Sequence, residues 1–98
     1  MAQFHVYKIG PNRLVLDLQS DLIDIGSRVV APLLPQDDGP RRLTRLEPVF
    51  DIAGTVFVLH TAELAAIPAR LLKDPAIADL TAFDYEIRKA LDMVFSGF

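Results

Sequence analysis

Cysteine and tryptophan are both absent from the 98 residues, and there are only two histidines and five glycines. Without cysteine the chain has no disulfide framework and no thiolate metal site. The histidines, His5 and His60, lie at strand-like positions without the i, i+4 helical spacing of a zincin, so no metal site is expected and both read as ordinary strand residues. The glycines fall one per turn rather than in a phosphate-cradling loop, and no cofactor is expected. Positive charge is also scarce. Ten basic against thirteen acidic residues give a net charge of −3 and a pI near 5.1, so the electrostatic footprint of a nucleic-acid binder is missing and direct RNA or DNA binding is disfavoured. No run approaches the ~20 apolar residues that span a bilayer. The N-terminus lacks the basic start and apolar run of a signal peptide, so a soluble, cytoplasmic protein is expected.

Apolar content is what the chain has in quantity. Half of it is hydrophobic (51%), 23% is charged, and mean hydropathy is +0.29. Residues 1–98 are long enough for one domain, and that much apolar surface on so small a body favours a dimer.

Periodicity places strands first. Phe4 and Val6 alternate with His5 and Tyr7, Gly10-Pro11-Asn12 is a turn, and Arg13–Gln19 puts Leu14, Leu16 and Leu18 on one face and Arg13, Val15, Asp17 and Gln19 on the other, which predicts a hairpin. Ser20-Asp21 opens a break in which Leu22-Ile23 stands as an apolar pair between Asp21 and Asp24, in need of a core pocket or a partner. A carboxylate pair in such a turn caps backbone N–H groups more readily than it performs acid/base chemistry. A third strand over Arg28–Leu33 is expected to end at Pro32 and Pro35, because proline belongs at an edge or outside the ladder. Pro35–Arg45 is the most polar stretch and carries Arg41, Arg42 and Arg45. Leu46–Ile52 and Thr55–Thr61, joined by Ala53-Gly54, form a tight and strongly apolar hairpin. Ala62–Ile67 reads as a short helical turn and Leu71-Leu72 as a last short strand. The pattern is strands followed by one terminal helix, an α+β or small-barrel architecture.

That helix is the organising element. Phe83, Ile87, Ala90, Leu91, Val94 and Phe95 form one apolar side, and Asp84, Glu86, Arg88, Lys89 and Asp92 the other, where Asp84 with Arg88 and Arg88 with Asp92 sit one turn apart. Thr81 with Asp84 suits the N-terminal cap and Gly97 the stop. Phe98 remains beyond it. Two readings stay open: a docked helix with a frayed end, or a display of Ser96-Gly97-Phe98 as a contact surface.

Several stretches resemble the CcdB toxins of plasmid and chromosomal type II toxin–antitoxin modules. They are Gln3-Phe4-His5-Val6-Tyr7, the block Arg13–Asp24 with its Leu18-Gln19-Ser20-Asp21-Leu22-Ile23-Asp24 run, Gly26–Leu33 with Ala31-Pro32-Leu33, Pro48-Val49, Ala65-Ala66-Ile67-Pro68, Ala78-Asp79-Leu80 and Met93-Val94-Phe95 with Gly97. The resemblance implies an SH3-like small barrel, mostly β, with a five-stranded antiparallel sheet, a small extra sheet and a C-terminal helix. It also implies a non-enzymatic homodimeric toxin that binds the A subunit of DNA gyrase, a topoisomerase, and traps it on cleaved DNA. Carried over by position, the gyrase contacts are Leu22, Ile23, Asp92, Phe95, Ser96, Gly97 and Phe98. A disordered acidic segment of a CcdA-type antitoxin is expected near Lys8 to Asn12 and near Arg41, Arg42 and Arg45.

The ending departs from the family pattern. Trp-Gly-Ile is replaced by Ser96-Gly97-Phe98, and an asparagine by Asp92. An aromatic anchor at an interface is commonly worth 2 kcal/mol or more, so its loss corresponds to roughly 30-fold in affinity. Three readings follow: a gyrase poison, a degenerate homologue that keeps antitoxin recognition without poisoning, and a ribonuclease like the related MazF toxins. The last needs a basic groove and a placed general base, for which the chain offers no evident constellation.

Overall fold

The computed structural model describes residues 2–36 and 46–97. Seven strands, β1 His5–Ile9, β2 Arg13–Asp17, β3 Ser27–Pro35, β4 Val49–Ile52, β5 Thr55–Leu59, β6 Ala65–Pro68 and β7 Ala78–Asp79, precede the helix α1, Asp84–Ser96. They make one antiparallel sheet in the order β4-β5-β3-β2-β1-β7, with β6 added on β3. The sheet curls into a barrel-like form, so the chain is α+β and mostly β, with one C-terminal helix, as expected. Strands β1 to β5 supply the main path. The small extra strands β6 and β7 join that same sheet.

Alternation explains β1 and β2 only in part. Val6, Leu16 and Leu18 enter a cluster with Phe4, Ala31, Leu33, Phe50, Ile52, Leu59, Leu80 and Ile87. The opposite face of β2 is also covered, in contrast to the sequence expectation of a polar side: Val15 packs with Tyr7, Val30 and Leu72, and Asp17 and Gln19 are buried. The cause is tertiary. The turn at Ala69–Leu72 folds over that face and brings Leu72 onto it.

Pro32 does not end β3, contrary to expectation, but lies within it, opposite Val15. On its other side β3 changes partner, pairing β6 up to Val30↔Ala65 and β5 from Leu33↔Leu59. The Pro32 carbonyl accepts from the His60 N–H at 2.9 Å on that side, and the missing proline N–H points the same way, into the gap between the two partner strands. No ladder bond is lost there.

Two other expectations give way. Ala65–Pro68 is a strand, preceded by a 3-10 turn at Thr61–Glu63, because the long β3 offers Ser27–Val30 as a free edge to pair with. Leu71-Leu72 lies in a 3-10 turn, not a strand. The Ala53-Gly54 hairpin is as expected, with φ of 54° and 87°, the positive pair of a type I′ turn.

Helix α1 docks through Ile87 and Ala90, with Leu91 packed beside them. Phe83 and Phe95, assigned to the apolar side, are instead 43% and 73% exposed. At 100° per residue Phe95 lies about 80° from Ile87, on the margin of the buried stripe, and Phe83 precedes the helix and makes an edge-on ring contact with Phe50, centroids 5.2 Å apart. Thr81 is not the helix cap either. Phe83 holds that position without a side-chain bond, while Asp79 accepts from the Thr81 N–H and hydroxyl and so closes the preceding 3-10 turn. Gly97 ends the helix in the left-handed region at φ 79°, its N–H bonded to the Met93 carbonyl.

Candidate functional site

A short loop between β2 and β3 carries three exposed apolar side chains, among them Leu22, the most exposed large apolar side chain among the described residues. Leu22 is 94% exposed, Ile25 71% and Ile23 49%. Exposed apolar side chains grouped on one loop, rather than scattered singly, make it a candidate contact surface.

The loop is held by polar groups that reading β2 as one-sided missed. Arg28, on β3, puts Nε 3.2 and 3.0 Å from the two carboxylate oxygens of Asp17, and its terminal nitrogen 2.8 Å from the second of them. The same nitrogen donates to the Gln19 carbonyl at 3.0 Å and lies 3.3 Å from Asp21. Gln19 bridges the loop mouth, accepting from the Val29 N–H at 2.9 Å and donating to the Ile23 carbonyl at 2.8 Å. Asp21 also accepts the Gln3 N–H at 2.9 Å, and the Ser20 hydroxyl accepts the Leu22 N–H at 3.2 Å. Asp21 therefore acts as a structural acceptor, as the turn chemistry predicts. Burial pushes the Asp17 carboxyl up, against the pull of Arg28, while the Arg28 guanidinium is raised because its carboxylate partners outweigh its own desolvation. The signal available in the sequence was Val15, an apolar residue on the face assigned to solvent, which marks β2 as covered on both sides.

The second part of the expected gyrase surface is the end of α1. Phe95, Asp92, Ser96 and Gly97 are all exposed there. Loop and helix are both tied to the segment before β1. Gln3 bonds the loop, while Phe4, buried with a strained φ of 64°, lies under the Arg88 guanidinium at 5.2 Å from ring centre. Arg88 pairs with Asp84 rather than Asp92, which leaves Asp92 without an ion pair among the described residues.

Of the residues expected near an antitoxin, Lys8 and Asn12 stand exposed around the first hairpin turn. Arg41, Arg42 and Arg45, and Phe98 of the tail, lie outside the described residues. His60 is not a surface group. It is 1% exposed, its Nδ1 is 2.7 Å from Glu47, and its Nε2 is buried with no hydrogen-bond partner among the described residues. His5 reaches Asp79 at 3.3 Å across the β1–β7 pair. Among the described residues no group of three or more acidic or histidine side chains could hold a metal ion, and no helix is long and apolar enough to cross a membrane.

Comparison with known proteins bears on the whole arrangement. No curated protein matches the chain by sequence. Solved structures similar to it include an endoribonuclease in complex with its cognate antitoxin from a mycobacterial species, at 12% identity over 97% of this chain and 94% of that one, with a TM-score of 0.77. An endoribonuclease from a mycobacterial species matches at 13% identity over 97% and 90%, with a TM-score of 0.76. The Mycobacterium tuberculosis toxin MazF-mt6 matches at 20% identity over 93% of each chain, with a TM-score of 0.72. At such identities these likenesses show a shared barrel fold and no more. The family model described as CcdB protein matches residues 3–97, which takes in β1, the Leu22 loop, the whole barrel and α1, and the chain therefore belongs to the CcdB family.

Proposed function

We propose that this protein is the toxin of a toxin–antitoxin pair and that it works by binding alone, engaging the A subunit of DNA gyrase as a homodimer and trapping it on cleaved DNA. The observation that carries this reading is the Leu22 side chain, 94% exposed on a loop that a buried Arg28–Asp17 pair and Gln19 hold in place. A preformed apolar knob binds without first ordering itself, which is how a small contact gains affinity. Phe95 on the last turn of α1 adds a second exposed apolar element, an aromatic one. Ser96, standing where the family has tryptophan, makes this the weak member of the contact.

The test is the accumulation of gyrase–DNA cleavage complexes with purified protein, run beside Leu22→Glu, Ser96→Trp and a chain lacking Gly97-Phe98. Wild type is expected to trap complexes, Leu22→Glu and the truncation to lose the effect, and Ser96→Trp to strengthen it by roughly tenfold or more. Activity confined to Ser96→Trp would mark a scaffold that has lost its anchor and keeps only its antitoxin. Cleavage of RNA by the purified protein would replace the reading with the ribonuclease one, for which the shared barrel is the supporting observation.

A further inference from the structure

The run that resembles the family ends at Asp24, and the residue just past it is one that the resemblance assigns nothing. Ile25 is 71% exposed and belongs to neither apolar cluster of the barrel. An isoleucine held in water adds little to folding, and this one stands beside Leu22 and Ile23 rather than singly. The backbone on both sides of it is fixed. Before it, the Ile23 N–H donates to the Ser20 carbonyl at 3.1 Å, and the Ile23 carbonyl accepts from the Gln19 side-chain amide at 2.8 Å. After it, Gly26 adopts a φ of 79°, the left-handed conformation that turns the chain into β3, and its carbonyl accepts the Ala69 N–H at 3.0 Å. A Cβ at position 26 would meet nothing within 4 Å, so glycine serves here for its backbone conformation and not for want of room. Ile25 is thus carried on a stem bonded at both ends, and its backbone has little freedom left to lose on binding.

We propose that Ile25 is a third loop contact to the gyrase A subunit, extending the Leu22-Ile23 surface and offsetting part of what the chain lacks at Ser96. This inference rests on the gyrase reading above. Continuity carries it. Three exposed apolar side chains within four positions of one fixed loop form a single surface, and a partner burying an ordinary ~800 Å² per side around Leu22 and Ile23 covers their neighbour as well. The tail offers serine where an aromatic anchor is expected, so the loop carries the larger share of the apolar contact in this chain, and its third member matters accordingly.

The experiment measures binding of the full chain to purified gyrase A subunit by isothermal titration calorimetry, for wild type and for Ile25→Thr, which keeps the branched Cβ and makes the side chain polar. Ile25→Thr is expected to bind about tenfold more weakly, the effect of losing one largely buried aliphatic contact. Its thermal melting is expected to match that of wild type, because the side chain replaced is exposed; Ile25→Ala takes its place if it does not fold. A second measurement reads the contact itself. The chain has no cysteine, so the thiol of Ile25→Cys is unique in it, and alkylation of that thiol by iodoacetamide, followed by mass spectrometry of this chain, is expected to slow several-fold with the A subunit at saturating concentration. Equal affinity of wild type and Ile25→Thr, or equally fast alkylation in the free and bound chain, would each overturn the contact at Ile25 while leaving the gyrase reading in place. Failure of wild type to bind the A subunit would overturn both.

Discussion

Asp17 and Arg28 sit at 0% and 6% exposure, and each is the other's reason for being inside. Replacing Arg28 alone with Met leaves Asp17 buried without its cation, with only the Gln19 N–H among its present partners, a loss of about 3–5 kcal/mol for a broken buried pair. Urea denaturation is expected to show that loss, and the double change Asp17→Leu/Arg28→Met to recover much of it, since an apolar pair carries no desolvation cost. Their titration runs in an unusual direction. Because burial raises the Asp17 carboxyl, the folded chain holds that proton more tightly than the unfolded one, so the contribution is full below the ordinary carboxylate range and is lost as pH rises through the folded-state value. Asp79 behaves in the opposite way. Bonds from the Thr81 hydroxyl and N–H, and more weakly the nearby His5, lower its carboxyl, so its contribution is present above the ordinary carboxylate pKa of 3.8 and is lost as pH falls through the lowered value. Melting temperatures of wild type and Asp79→Ala are expected to differ at pH 7 and to converge in strong acid; a gap that stays constant down to that limit would refute the assignment.

Among the elements, the β4–β5 hairpin turn carries a correctable misfit. Ala53 adopts a φ of 54°, a conformation that costs a residue with a Cβ about 1 kcal/mol, next to Gly54, which bears it freely. Ala53→Asn, which restores the Asn-Gly pair favoured in type I′ turns, is expected to stabilise the fold by about 0.5–1 kcal/mol by chemical denaturation. At the other end of the chain, Gly97 at φ 79° closes α1, and Gly97→Val is expected to unwind the last turn, lowering helical circular dichroism slightly while leaving the β-signal unchanged. That turn presents Phe95 and Ser96, so the same variant separates the presentation of the tail from its chemistry.

At the scale of the whole molecule the two expected contact regions differ in how they are held. The Leu22 loop is hydrogen-bonded to strand β3 through Arg28 and Gln19, whereas α1 is held by apolar packing of Ile87, Ala90 and Leu91 and by Arg88 over Phe4. Because Leu22 touches solvent, Leu22→Glu is expected to remove cleavage-complex formation while leaving the chemical-denaturation midpoint close to that of wild type, a change of about 0.5 kcal/mol or less.

The sequence by itself determined the elements whose signals are local: alternation gave β1 and β2, the Ala53-Gly54 pair the hairpin, Gly97 the helix stop, and the Leu18–Asp24 run the family. Tertiary structure decided what depends on distant neighbours. Pro32 could remain inside β3 only because that strand trades β6 for β5 beside it, and Asp17 and Gln19 could be buried only because Arg28 arrives from the next strand. A charge in a sequence has no sign of its partner until the fold supplies or withholds one, which is why the buried pair was invisible in the one-dimensional pattern.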